Sequence, residues 1–98
     1  MDIGQAITTL RKKKGISQVE LANLTSMTQA ALSHIESGKK SPHKSTVEKI
    51  CQALEIPVQM FHFLTISEDD VPENSRNKFN SIEKLMKELI VDTFAHRS

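Results

Sequence analysis

SQVELANLTSMTQAALSHIESG, residues 17–38, is the stretch whose reading decides the fold. Leu21, Ala22 and Leu24, then Leu32 and Ile35, recur at helical spacing on either side of a polar break at Thr25 and Ser26. Two short helices meeting at a tight turn are predicted, the pattern of a helix-turn-helix. The second helix opens with Thr28, Gln29, Ala30, Ser33 and His34 on its outer side, which suits base edges in a groove of duplex DNA. Ser17 with Glu20 forms a capping-box pattern at the start, Thr28 is the expected N-cap of the second helix, and Gly38 supplies a left-handed stop.

Working towards the N-terminus, Asp2 and Gln5 make a further capping box. Ile3, Ala6, Ile7 and Leu10 follow at helical spacing until Gly15, which predicts helix one over about Ile3 to Lys14. Its last turn is RKKK, residues 11–14, which complements the helix dipole and gathers four cations beside the next helix. On helix two the apolar positions are Val19, Leu21, Ala22 and Leu24, with the small Ala22 allowing helix three to cross closely. Working towards the C-terminus, Lys39 to Lys44 form a basic loop containing Pro42. Ser45 and Glu48 are the expected cap of helix four, with an inner face of Val47, Ile50, Cys51 and Leu54, and Pro57 opens a fifth helix over 58–64.

Five short helices therefore account for residues 1–66. The acidic, proline-containing SEDDVPENSRN, residues 67–77, reads as a linker or as the capped start of another helix. From Phe79 to about Ala95, Ile82, Leu85, Met86, Leu89, Ile90 and Phe94 make one broad apolar stripe on an amphipathic helix. The expected organisation is an all-α chain: a compact domain over 1–66, then a linker and C-terminal helix over 67–98.

Charge divides along that boundary. Residues 1–66 carry eight Lys/Arg against five Asp/Glu, and residues 67–98 carry five against seven. Arg11, Lys12, Lys13, Lys14, Lys39, Lys40 and Lys44 flank the helix-turn-helix, where they could meet a polyanion. Other classes of function lack their signatures. The single Cys51 excludes an intramolecular disulfide, and the four histidines at 34, 43, 62 and 96 share no metal-ligand spacing. Paired carboxylates and a glycine-rich phosphate loop are both absent. Phe61, His62 and Phe63 could stack on bases, but two of the three are expected in the core. No catalytic residue, metal or cofactor is expected. The N-terminus has no signal-peptide pattern and no apolar run approaches a membrane span, so a cytoplasmic protein is expected.

The runs LRKKKGISQVELA, TQAALSHIESGKKSP and VEKICQALEIPVQMF, in that order and spacing, resemble the Cro/repressor (XRE) family of helix-turn-helix DNA-binding proteins over about residues 2–64. The resemblance implies a five-helix, lambda-repressor-like domain that regulates transcription, usually as a dimer on double-stranded DNA. It implies that Gln18 touches a phosphate and buttresses the recognition helix. By the same resemblance, Thr28, Gln29, Ala30, Ser33 and His34 read bases or adjacent backbone, Lys39, Lys40 and Ser41 meet phosphates, and Arg11 pairs with Glu36. Lys13, in the basic turn, joins the phosphate-contact candidates. Two positions depart from the family pattern: Ser26 stands where a glycine is usual in the turn, and Ala30 stands where some members carry a longer polar reader.

The apolar stripe of the last helix must be covered by its own domain, by a second copy or by another protein. One recognition helix spans few base pairs, so Phe79, Ile82, Met86, Leu89, Ile90 and Phe94 are expected at a homodimer interface that sets two half-sites about 34 Å apart. A dimeric repressor on a palindromic operator is the leading reading. An antitoxin, or another partner-binding protein that autoregulates through its helix-turn-helix, is the alternative. A protein-interaction module that never binds DNA is a third.

Overall fold

The computed structural model describes residues 1–95. Among these residues the secondary structure is helical: α1 (Ile3–Lys13), α2 (Gln18–Leu24), α3 (Gln29–Glu36), α4 (Lys44–Leu54), α5 (Val58–Leu64) and α6 (Arg76–Phe94). Two short 3-10 turns, Glu68–Asp70 and Glu73–Ser75, join α5 to α6. The fold is the expected lambda-repressor-like all-α arrangement.

Local chemistry explains most helix ends. Asp2 accepts from the Gln5 amide at 2.7 Å while the Gln5 side chain accepts from the Asp2 amide at 2.9 Å, so two orphan donors of α1 are satisfied reciprocally. Ser17 accepts from Glu20 N at 3.0 Å, and Thr28 from Ala31 N at 3.0 Å. Gly38 takes a φ of +82° and closes α3 with its amide on Ile35 O. The start of α4 departs from expectation. The helix opens at Lys44, with His43 at the cap position and no side-chain hydrogen bond there, so Ser45 lies inside the first turn. Helix one is also a residue shorter than expected, because Lys14 is its C-cap.

Ile7, Leu10, Leu21, Leu32, Ile50, Leu54, Phe61 and Leu64 are fully buried and form one core where α1 to α5 meet. Burying such side chains stabilises by about 1.5–3 kcal/mol each before ordering entropy is counted. Of the apolar positions on α2, only Leu21 and Ala22 enter this core; Val19 and Leu24 are exposed. A two-turn helix can present only a narrow inward arc, and the third inward place is taken by Thr25, whose hydroxyl donates back to Leu21 O at 2.8 Å.

The C-terminal helix joins the same core. Ile90 and Val91 are buried, Phe94 packs on them from the edge, and α6 lies mainly against α1 and α5. Lys87, also buried, donates to Ile66 O and pairs with Glu83 at 2.6 Å. The segment before it is clipped in place: Arg76 donates to Glu68 O and Val71 O, and Asn80 to the Glu68 carboxylate. For Ile90 and Phe94 the sequence expectation is therefore corrected. They cover their own domain, because the apolar arc of α6 is wide enough to serve two sides and this side faces α1 and α5.

Candidate nucleic-acid interface

The interface is built from the inside outwards, starting with what holds α3. Leu32 and Ile35 plant it in the core, and its last residue, Glu36, is tied to two other helices. Arg11 Nε donates to Glu36 Oε2 at 2.8 Å and Nη2 donates to Oε1 at 3.0 Å, a two-pronged pair between α1 and α3. Thr8 Oγ1 donates to Oε1 at 2.9 Å and Gln18 Nε2 at 3.2 Å, while Arg11 Nη1 donates to Ile16 O at 2.9 Å. One carboxylate thus fixes the end of α3 to α1 and to the start of α2. Burial would push the Glu36 carboxyl up, but hydrogen bonds from Arg11, Gln18 and Thr8 outweigh it and hold the group below the ordinary carboxylate range.

A close approach accompanies this knot. A Cβ at Gly4 would lie 2.5 Å from the carbonyl oxygens of both Ile35 and Glu36, and backbone atoms cannot move aside cheaply. Only glycine lets α1 sit this near the end of α3. Sequence reasoning missed Gly4, since nothing in helical periodicity marks which small residue meets another backbone.

The turn before α3 is equally specific. Ser26 adopts a φ of +57°, so a non-glycine residue occupies the left-handed conformation that the departure from the family pattern brings into question. The Met27 amide donates to Ala22 O at 2.8 Å, closing the turn over the small alanine.

On this frame the outward residues of α3 are polar or small. Gln29, Ala30 and His34 are exposed, Ser33 is half-buried beside them, and Thr28 is engaged as the cap. Gln29 is the first helical residue, where an amide at the tip of a recognition helix can donate and accept at once. Beyond Gly38, Lys39, Lys40 and Ser41 are exposed, and the loop is folded back by the Lys40 amide on His34 O at 3.2 Å. Gln18 is half-buried, with its amide nitrogen on Glu36, which is the buttressing position.

The basic turn at the end of α1 is split: Arg11 makes the expected pair with Glu36, and Lys14 departs from expectation by being buried. Lys12 and Lys13 are exposed, whereas Arg11 and Lys14 are 8 % and 5 % exposed. Arg11 is consumed by Glu36, and Lys14 lines a cleft with Glu20 and Glu55, so neither faces solvent as a phosphate ligand. Elsewhere, Cys51 is buried in α4, and burial pushes its thiol up to about 11. Phe61 is fully buried, Phe63 packs on the core and His62 is exposed. Among the described residues, no three His, Cys, Asp or Glu side chains converge as metal ligands; His96 lies outside them.

A polar-faced helix held by a buried ion pair within a five-helix frame defines a helix-turn-helix module. The Helix-turn-helix family pattern matches residues 7–61, and the chain belongs to that family, of the Cro/repressor (XRE) type. It is 36 % identical over 73 residues to an HTH-type transcriptional regulator of Mycobacterium tuberculosis, a match covering 74 % of this chain and 28 % of that protein. It is 32 % identical over 94 residues to the immunity repressor of Bacillus phage phi105, covering 94 % of this chain and 65 % of the repressor. It is 31 % identical over 80 residues to the regulator PuuR of Escherichia coli, covering 82 % and 43 %. The chain thus spans about a quarter of the mycobacterial relative and less than two thirds of the others. No helix among the described residues is long and apolar enough to cross a membrane.

Proposed function

We propose that this protein is a sequence-specific, double-stranded-DNA-binding transcriptional regulator that acts as a dimeric repressor, reading a palindromic operator through the major groove. The observation that carries the reading is the rigid presentation of a polar α3 face, with exposed lysines on both flanks. Lys12, Lys13, Lys39, Lys40 and Ser41 hold phosphates and set register, and Gln18 keeps α3 in place through Glu36. Gln29 is the base reader: its amide matches the N7 acceptor and N6 donor of adenine, a pairing worth about 1–3 kcal/mol of discrimination. Ala30 contributes only a methyl, which fits a thymine methyl, and Ser33 and His34 supply hydroxyl and imidazole groups beside it. Names among the relatives, a phage immunity repressor and transcriptional regulators, support the same class of activity.

Selection of duplexes from a randomised pool tests this. The expected product is a consensus of two inverted half-sites, centres about 34 Å apart. A pool that stays random after repeated rounds at low salt would contradict sequence-specific binding.

A further inference from the structure

With Ile90, Val91 and Phe94 turned to the core, α6 keeps a second apolar face that nothing among the described residues covers. Ile82 is 52 % exposed, Leu85 71 % and Leu89 60 %, the most exposed large apolar side chains of α6. They lie in a row with Lys78 before them and Asp92 after them, at spacings of four, three, four and three residues. That is the seven-residue repeat of a helix that pairs with another helix. Lys78 and Asp92 are both exposed, and neither makes an ion pair among the described residues.

We propose that α6 pairs with α6 of a second copy in antiparallel orientation, the two-fold axis passing beside Leu85. This rests on the reading of the protein as a homodimer and names the surface that makes it one. The charged ends of the row are complementary to their own reverse about the central leucine. Lys78 and Asp92 each stand seven residues from Leu85, with Ile82 and Leu89 between. Turned about Leu85, the ammonium of Lys78 faces the carboxylate of Asp92 at each end, and Ile82 of one copy, three residues from the axis, lies within one residue of Leu89 of the other, four residues from it. Glu88, at the edge of the row and three residues from the axis, then lies within one residue of uncharged Ser81. A parallel pair would set lysine against lysine and aspartate against aspartate, which is unfavourable at both ends. An unrelated partner gives no reason for opposite charges equidistant from the central leucine, whereas an isologous interface requires that symmetry.

The test uses the full chain, because removing α6 would strip Ile90 and Val91 from the core. Sedimentation over a concentration series is expected to show a dimer that Leu85→Asp weakens about 100-fold by bringing two carboxylates together at the axis. Far-UV circular dichroism should be unchanged, since Leu85 is exposed. Lys78→Glu and Asp92→Lys should each weaken association about tenfold. The double variant Lys78→Glu/Asp92→Lys should return to within about threefold of the wild type. For orientation, a mixture of Ile82→Cys and Leu89→Cys chains should cross-link on oxidation while each alone does so poorly.

A monomeric chain, a dimer indifferent to Leu85→Asp, or efficient self-cross-linking of Ile82→Cys alone would overturn the proposal. Duplex binding by the same variants separates it from the reading it rests on. A folded monomer that still prefers one duplex sequence removes the pairing and leaves α3 as a reader. A dimer with the predicted charge behaviour and no duplex preference upholds the pairing and removes the reader.

Discussion

The recognition helix α3 and the C-terminal helix α6 are both planted in the core by one apolar side, yet their outer sides differ in kind. Outside, α3 presents Gln29, Ser33 and His34, whereas α6 presents Ile82, Leu85 and Leu89. Its anchorage differs as well: α3 spans eight residues and ends on a buried carboxylate with three donor residues, while α6 spans nineteen and is fastened by Lys87, Ile90 and Val91. A polar outer face can meet a hydrated, charged partner without penalty, but an apolar one is stable in water only when covered. On the proposed reading the two helices divide recognition between them, α3 directed to nucleic acid and α6 to a second copy of the chain.

The largest expected effect strikes the anchorage of α3. Arg11→Ala leaves Glu36 without its charge partner and Ile16 O without its donor, and should destabilise the fold by about 3–5 kcal/mol in denaturant titration. The pH dependence follows the same pair. Because the Glu36 pKa is lowered on folding from its ordinary 4.5, its contribution is fully present above that value and is lost as pH falls through the lower folded value. Glu36→Gln should accordingly lose less stability than the wild type on acidification below pH 4.5, measured as the change in denaturation midpoint. An equal loss in both would show that the pair is not the coupling that holds α3.

Adjacent residues on α6 sharpen the contrast between its faces. Ile90→Ala should cost about 2–4 kcal/mol of folding stability, because a buried side chain is truncated. Leu89→Ala should leave the dilute chain within about 0.5 kcal/mol of wild type, because Leu89 itself points outward. Thermal melts at low concentration would distinguish the two, and equal losses would mean that both faces of α6 belong to the core. The smallest effect is at the turn: Ser26→Gly relieves a φ of +57° and should raise stability by up to about 1 kcal/mol in the same melts.

Much of this was legible in the sequence. Capping patterns at Asp2 and Ser17, the N-cap at Thr28 and the stop at Gly38 lie within a few residues of what they bond, so local reading reaches them. The start of α4 was misplaced because Ser45 has the chemistry of a cap, yet the helix begins before it with no side-chain bond at all. Periodicity told that α6 is amphipathic but not how it is rotated. Its apolar residues spread over a wide arc, and which part faces α1 and α5 depends on packing partners distant in sequence. The same limit hid the burial of Lys14 within RKKK, and the contact at Gly4 that no periodic pattern records.

On the proposed reading α3 reads bases while its flanks hold phosphates, and one salt titration separates these roles. Affinity for the selected duplex and for a version altered by one base pair per half-site would be measured for the wild type, Gln29→Ala and Lys39→Ala. Gln29→Ala is expected to erase the preference at one position of each half-site and keep the salt slope. Lys39→Ala is expected to weaken both duplexes alike and reduce the slope by about one. Uniform weakening of both duplexes by Gln29→Ala, with preference intact, would contradict the account.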